Sequence, residues 1–97
     1  MLSDDDIIKS VKEGRIQNFE ILINRYKTKI VNFIYKMIYD YDEALNIAQD
    51  TFLKVYENIQ RYKGKDSFRG FIFTIAKNNM LNYLKKEKRK SNFSAFF

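Results

Sequence analysis

The chain has 97 residues, of which 45% are hydrophobic and 31% are charged, and this composition is typical of one small globular domain. It contains no Cys and no His, which excludes disulfides and thiolate or imidazole nucleophiles and argues against a transition-metal site. It has no Pro and only 3 Gly, which favours long helices over a turn-rich β fold. We therefore expect an all-α domain that is not an enzyme and needs no cofactor.

The charge of the chain is unevenly distributed along its length. Residues 1–60 contain 8 Lys or Arg and 10 Asp or Glu, a balance of −2, whereas residues 61–90 contain 10 basic and 2 acidic residues, a balance of +8. The last seven residues carry no charge, and the net charge is +6. One part of the molecule therefore suits an anionic polymer. No signal-peptide pattern or membrane-spanning apolar run is visible, so we expect a cytoplasmic location and no membrane partner.

Caps and hydrophobic spacing predict the first two helices. Ser3 and Asp6 resemble a capping box that opens a short helix, and Gly14 ends it. Asn18 is predicted to be the N-cap of the second helix. The apolar stripe of this second helix continues over about five turns. It consists of Phe19, Leu22, Ile23, Tyr26, Ile30, Phe33, Ile34 and Met37.

The acidic residues 4–6 suggest two interpretations, a divalent-cation site or a favourable charge at a helix N-terminus. Consecutive positions on a helix point in different directions, so the three carboxylates do not converge on one ion. We therefore favour the helix N-terminus, where negative charge complements the helix dipole.

A turn is predicted at residues 39–42, and Asp42 is predicted to cap the third helix. The predicted inner face of this helix consists of Ala44, Ile47, Ala48, Thr51, Phe52, Val55 and Ile59. After a break near residues 60–67, the spacing predicts a fourth helix from Phe68 towards Leu84.

The fourth helix is predicted to end in a lysine-rich turn at residues 85–90, where cations complement the helix dipole. Residues 1–90 are therefore assigned to one compact bundle of three to four helices. Residues 91–97 are interpreted as the start of a linker or a chain end.

The stretch after the third helix combines cations with aromatic rings, a pattern suited to single-stranded nucleic acid. Cations follow the phosphates while rings stack on exposed bases. An ordinary solvated charged face with core aromatics explains part of the pattern. However, Phe68, Phe71, Ile72 and Phe73 span too much of the helix circumference to face inward together. At least one ring is therefore expected to be exposed or to line a pocket.

Three segments resemble one known family. Residues 19–26 read FEILINRY, residues 44–56 read ALNIAQDTFLKVY, and residues 62–78 read YKGKDSFRGFIFTIAKN. They are similar, in order and spacing, to three motifs of region 2 of bacterial RNA polymerase sigma factors of the extracytoplasmic-function (ECF) type. The resemblance extends from about residue 5 to residue 90 and implies a bundle of helices.

The resemblance also implies roles for two surfaces. The outer face of the third helix, with Asn46, Gln49 and Asp50, is implied to dock on the β′ clamp helices of core RNA polymerase. The loop after this helix and the helix that follows are implied to bind the non-template strand of the promoter −10 element and to accept a flipped-out base. The implied DNA-binding residues are Tyr62, Lys63, Gly64, Lys65, Ser67, Phe68, Arg69, Phe71, Lys77, Asn78, Lys85, Lys86 and Arg89. An anti-sigma factor is a further partner that the family implies.

The chain departs from the family pattern in four respects, one of which is that Lys65 and Asp66 alter the loop. Leu45 and Asn46 replace an acidic pair, and Phe71 stands where the family often has Trp. The helix-turn-helix module for the −35 element does not follow, so we expect a fragment or a minimal factor.

Two other functions remain open at the level of sequence. One is a polymerase-independent DNA-binding regulator that reads duplex DNA with its basic helix, and the other is a protein-interaction bundle. A preference for single-stranded probes distinguishes the sigma-type function from the first alternative, and salt-dependent DNA binding distinguishes it from the second.

Overall fold

The computed structural model describes residues 2–64 and 67–96 of the chain. These residues form four α-helices and two short 3₁₀ turns, with no strand among them. The helices are α1 (Asp4–Lys12), α2 (Phe19–Ile38), α3 (Tyr41–Glu57) and α4 (Phe68–Ser94). The 3₁₀ turns span Ile16–Asn18 and Ile59–Arg61. The prediction of an all-α bundle is confirmed.

Helix α1 begins with the predicted capping box. The Ser3 hydroxyl accepts a hydrogen bond from the Asp6 backbone N–H at 3.1 Å, and the Asp6 carboxylate accepts one from the Ser3 N–H at 3.2 Å. Hydrogen bonding of the Asp6 carboxylate to the side chain and the backbone of Ser3 lowers the pKa of Asp6. The helix ends before Gly14, whose φ of 103° is easily adopted by glycine.

The prediction that Asn18 caps α2 is wrong. Asn18 has a helical backbone, with φ of −69° and ψ of −14°, and makes no side-chain capping bond. Its side-chain amide instead donates to the Ser10 hydroxyl at 2.6 Å. The reason is that the 3₁₀ turn Ile16–Asn18 leads directly into α2, so Asn18 is already inside a helical segment.

The cap of α3 lies two residues earlier than predicted, at Asp40 rather than Asp42. The chain reverses at Tyr39, which has a left-handed φ of 55°, so the first extended residue is Asp40. Its carboxylate accepts a hydrogen bond from the Glu43 N–H at 3.1 Å. Asp42 lies inside the first turn of α3, where its charge complements the helix dipole.

Helix α4 continues past its predicted end. Ser67 caps it by accepting a hydrogen bond from the Gly70 N–H at 3.0 Å. Residues 85–90 do not form a terminal turn, because the helix runs on to Ser94. Lys, Arg and Glu are good helix formers, and neither Gly nor Pro interrupts residues 71–94. The division between a domain and a linker at residue 90 stays a prediction.

The core lies where α2, α3 and α4 meet, with α1 covering one end of it. The side chains of the predicted inner face of α3 are buried, but Ile59 lies in the 3₁₀ turn after the helix and not in α3 itself. The apolar stripe of α2 ends earlier than predicted, since Met37 is 56% exposed. Every residue from 85 to 96, which includes the last ten residues of α4, is exposed. Within the described ranges, no helix combines the length and apolar character needed to cross a membrane.

Candidate nucleic-acid and protein interfaces

The aromatic residues predicted for DNA binding form one cluster around Tyr62. The ring centroid of Tyr62 lies 5.8 Å from that of Phe68 and 5.3 Å from that of Phe71. Phe68 also packs edge-to-face on Tyr26 of α2, with centroids 5.5 Å apart. Tyr62 and Phe68 are buried, 7% and 3% exposed, whereas Phe71 is only half-buried. Phe71 is therefore the ring of this cluster that is open to a ligand, as expected for at least one of the rings.

A cleft of about 350 Å³ lies between the loop and the first turns of α4. Gly64 turns the chain there with a φ of 74°, a conformation that glycine adopts at little cost. The cleft is near the lower end of the size range of small-ligand sites. The predicted contact residue Lys65 and its neighbour Asp66 lie outside the described residues. The lining consists of Arg61, Tyr62, Lys63, Gly64, Gly70, Phe71 and Thr74.

One flank of α4 extends this cleft along the helix. Asn78 follows Phe71 by seven residues and Lys85 follows Asn78 by seven, a spacing that keeps side chains on nearly the same side of an α-helix. Arg89 is one turn further on. Asn78, Lys85 and Arg89 are exposed. We call Phe71, Asn78, Lys85 and Arg89 the loop-side flank.

Two predicted DNA-binding cations lie on a different flank. The Arg69 guanidinium carbon lies 4.9 Å from the ring centroid of Phe73, and Phe73 packs on Phe33 of α2 with centroids 5.3 Å apart. Lys77, one turn after Phe73, shares this α2-side flank. The structure therefore does not bring Arg69 and Lys77 together with the loop-side flank.

The remaining predicted DNA contacts have other neighbours. The Ser67 hydroxyl is engaged in capping α4, and a Cβ at Gly70 would lie 3.3 Å from it. Lys86 lines a groove between α3 and α4, together with Asn46 and Asp50. Lys63 lines the loop cleft.

The residues predicted to bind polymerase form an exposed ridge on α3. Asn46, Gln49 and Asp50 are all exposed. A groove of about 820 Å³ between α2 and α3 contains Gln49 on its wall, and a groove of about 310 Å³ between α3 and α4 contains Asn46. Asp50 lines both grooves, so the ridge separates them.

Leu53 is a further ridge residue that the sequence analysis does not single out. It lines both grooves and is 55% exposed. Its position three residues after Asp50 and four after Gln49 is the signal that places it on the same face. We call Asn46, Gln49, Asp50 and Leu53 the α3 ridge.

A chain of hydrogen bonds joins α3 to α4 beneath this ridge. Lys54 Nζ donates to Asn79 Oδ1 at 2.6 Å, and Asn79 Nδ2 donates to the hydroxyl of Thr51 at 3.2 Å. The Thr51 hydroxyl, which is fully buried, donates to the Ile47 carbonyl at 2.7 Å. Because these polar groups are satisfied, they fix how α4 sits on α3.

The carboxylates of α1 hold neighbouring elements rather than one another. Asp4 accepts hydrogen bonds from the Arg25 guanidinium at 3.0 Å and from the Tyr26 hydroxyl at 2.5 Å. Asp5 accepts one from the Tyr62 hydroxyl at 3.1 Å. Burial, together with the bond to the Asp4 carboxylate, raises the pKa of Tyr26 to about 12.

Comparison with known families and proteins relates the sequence of this chain to one family of proteins. The sequence profile described as Sigma-70 region 2 matches residues 22–90. The chain is 29% identical over 87 residues to the RNA polymerase sigma-H factor of Pseudomonas aeruginosa, covering 90% of this chain and 45% of that protein. It is 33% identical over 81 residues to the ECF RNA polymerase sigma factor SigW of Bacillus subtilis, covering 84% of this chain and 43% of that protein.

A third relative shows a similar coverage. The ECF RNA polymerase sigma-E factor of Haemophilus influenzae is 26% identical over 89 residues, covering 92% of this chain and 47% of that protein. The chain therefore spans less than half the length of each of these three curated relatives.

Proposed function

The chain belongs to the Sigma-70 region 2 family, and on this premise we propose that it is the promoter-recognition domain of an ECF-type sigma factor. In this function it binds core RNA polymerase and the −10 promoter element, and so directs transcription initiation and strand opening. The chemistry belongs to the polymerase, and the domain itself needs no cofactor. Its place of action is the cytoplasm, with the polymerase and the promoter.

The observation that carries the proposal is the continuous surface formed by the loop cleft and the loop-side flank. It offers a half-exposed ring, Phe71, followed along the helix by an amide, Asn78, and then by the cations Lys85 and Arg89. A ring stacks on an unpaired base, and an amide pairs with a base edge. Cations hold the phosphates without reading sequence. This order of groups suits one strand that has left its duplex.

The free energy needed to open the DNA duplex exceeds what this domain can supply alone, so core polymerase is needed. Opening DNA costs about 1.4 kcal/mol per base-pair step in lost stacking. Stacking an unpaired base on an aromatic ring returns about 1–3 kcal/mol. One or two captured bases therefore offset a few steps, which is enough to trap an opening that has already occurred. A complete bubble needs core polymerase.

The α3 ridge is the proposed contact with the β′ clamp helices. A ridge with a groove on either side offers a helical partner two parallel channels. Leu53 provides apolar contact area at the ridge, while Gln49 and Asp50 provide polar contacts around it. An anti-sigma factor is predicted to compete for the same surface.

The DNA part of the proposal is tested by binding of labelled single-stranded and double-stranded promoter DNA to the chain. The single strand is expected to bind more tightly. Phe71→Ala is expected to weaken single-strand binding by about 5- to 150-fold, since one stacked base contributes about 1–3 kcal/mol. Asn78→Ala is expected to reduce discrimination between bases more than total affinity.

Matched controls separate these effects from general loss of a ring or an amide. Tyr41→Ala removes an exposed ring from α3, and Asn32→Ala removes an exposed amide from α2. Both controls are expected to bind single strands as the unmodified chain does. Equal binding by Phe71→Ala and Tyr41→Ala, or a preference for duplex, contradicts the proposal.

The polymerase part is tested by capture of a purified β′ clamp-helix fragment. Replacing Gln49 and Asp50 by Ala is expected to reduce capture by at least tenfold while DNA binding persists. Asp42→Asn removes one charge from α3 outside the ridge and is the control. Capture that is as strong after the ridge replacements as after Asp42→Asn places the contact elsewhere.

A further inference from the structure

Tyr62 is held by α1 at both ends of the residue. Lys12 Nζ donates a hydrogen bond to its backbone carbonyl at 2.5 Å, and its hydroxyl donates to Asp5 Oδ1 at 3.1 Å. Lys12 and Asp5 are separated by seven residues, so both side chains lie on nearly the same face of α1. One helix face therefore fixes both the backbone and the ring orientation of the residue that opens the loop.

Packing alone does not require these two bonds. The ring of Tyr62 is already enclosed by Phe68 and Phe71. Lys12, which is half-buried, gives up part of its hydration and rotamer freedom to reach a carbonyl that lies 50 residues away in the chain. The two hydrogen bonds fix the orientation of Tyr62, since a hydrogen bond to a fixed donor restricts where a carbonyl can point.

The position of Tyr62 determines the shape of the cleft through the two residues that follow it. Lys63 and Gly64 follow it directly, and both line the cleft shared with Phe71. Because Gly64 turns the chain with a φ of 74°, a rotation of the Tyr62 peptide redirects Lys63 and Gly64 relative to Phe71.

We propose that Lys12 and Asp5 are positioning residues for base selection. They hold Tyr62, and through it the loop, in the one arrangement of the cleft that distinguishes among bases. Neither residue touches the DNA. The proposal rests on the proposed function, in which this cleft receives an unpaired base, and adds that α1 determines how selective the cleft is.

The test measures selectivity rather than affinity alone. Single-stranded DNA is selected from a randomised pool on the unmodified chain, and the selected sequence is then varied among four bases at its most discriminating position. Lys12→Met and Asp5→Leu are each expected to lower the ratio of affinities between the preferred and the other bases by about tenfold, the value of one charge-assisted hydrogen bond. The salt dependence of binding is expected to stay the same, since no phosphate contact is lost.

Conservative variants and a charge control show whether a change in selectivity is due to the loss of these hydrogen bonds. Lys12→Arg retains a donor and Asp5→Asn retains an acceptor, so each is expected to recover part of the selectivity. Tyr62→Phe removes only the hydroxyl and is expected to match Asp5→Leu. Lys9→Met removes the same charge from α1 one turn earlier and is expected to keep full selectivity.

The outcomes separate this proposal from the proposed function. If the pool yields no selected sequence on the unmodified chain, base capture itself is refuted. If a sequence is selected and Lys12→Met and Asp5→Leu discriminate as the unmodified chain does, only the positioning role is refuted. A loss of selectivity that merely follows a lowered melting temperature, and that Lys12→Arg does not rescue, also overturns the positioning role.

Discussion

Three adjacent aspartates of α1 have three different partners. Asp6 closes the capping box, Asp4 pairs with α2 through Arg25, and Asp5 binds the hydroxyl of Tyr62. Successive side chains on a helix point about 100° apart, so neighbouring identical residues meet different surroundings. The role of each of these aspartates is therefore determined by the direction of its side chain and not by the presence of three acidic residues in a row.

The hydrogen bond between Tyr26 and Asp4 predicts a stability change at high pH. Because the folded state raises the pKa of Tyr26 to about 12, above its ordinary value of 10.0, the protonated hydroxyl stabilises the fold. That contribution is complete below pH 10 and is lost as the pH rises towards 12. Urea unfolding at pH 7 is expected to show Tyr26→Phe less stable by about 1.5–3 kcal/mol, the value of a hydrogen bond to a charged group.

The difference between the unmodified chain and Tyr26→Phe is then expected to shrink between pH 10 and pH 12. Other tyrosines and lysines also titrate there, but they are common to both chains and cancel. Tyr35→Phe, which removes a hydroxyl from an exposed ring, serves as the control. A difference that stays constant over this pH range contradicts the assignment.

At the scale of the elements, hydrophobic spacing was sufficient to place the helices but not their caps. The inner face of α3 is buried as predicted, because several apolar side chains follow the same helical spacing and so indicate the same face. A cap depends on the backbone of a single residue. The left-handed conformation of Tyr39, which is rare for a residue other than Gly, is not visible in the sequence and moves the cap from Asp42 to Asp40.

The corrected cap of α3 gives a direct comparison of two aspartates. Asp40→Ala removes the acceptor for the Glu43 N–H and is expected to lower the free energy of unfolding by about 0.5–2 kcal/mol. Asp42→Ala removes only a favourable charge in the first turn, which is expected to cost about 0.3–1 kcal/mol. Chemical denaturation of both variants under the same conditions measures the two values. A larger loss for Asp42→Ala would return the cap to the position that the sequence suggested.

The C-terminal end of α4 lies beyond the run of cations that was predicted to end it. A run of cations is favourable at a helix C-terminus, but it is equally compatible with the helix continuing. Residues 85–90 continue as helix to Ser94, and every residue of this stretch is exposed. The sequence offers no stop signal there, since the last glycine is Gly70.

At the scale of the whole molecule, the bundle is elongated, with extents of 54 × 23 × 22 Å. The described residues predicted to bind DNA divide among the two flanks of α4, the loop cleft, the cap of α4, the groove between α3 and α4, and the core. The division between flanks follows from spacing that is present in the sequence, because Arg69, Phe73 and Lys77 are each four residues apart. The hydrogen bonds that hold Tyr62 were not predictable in this way, since their partners in α1, Lys12 and Asp5, lie 50 and 57 residues away.

The two flanks of α4 predict an asymmetric response to salt. Replacing Lys85 and Arg89 by Gln removes two charges from the loop-side flank, and replacing Arg69 and Lys77 by Gln removes two from the α2-side flank. A phosphate contact on a single strand contributes about 0.7 to the slope of the logarithm of the binding constant against the logarithm of salt concentration. The first pair is therefore expected to reduce the slope by about 1.4, and the second pair by much less.

Fluorescence anisotropy of a labelled single strand at several salt concentrations measures both slopes. Because the two variants have the same net charge, any difference between them reports where the strand lies rather than how basic the chain is. Equal reductions would mean that the strand is attracted by the total charge of α4 and follows no particular flank. A larger reduction for Lys85 and Arg89 places the strand along the loop-side flank, next to the loop cleft, whereas a larger reduction for Arg69 and Lys77 contradicts that placement.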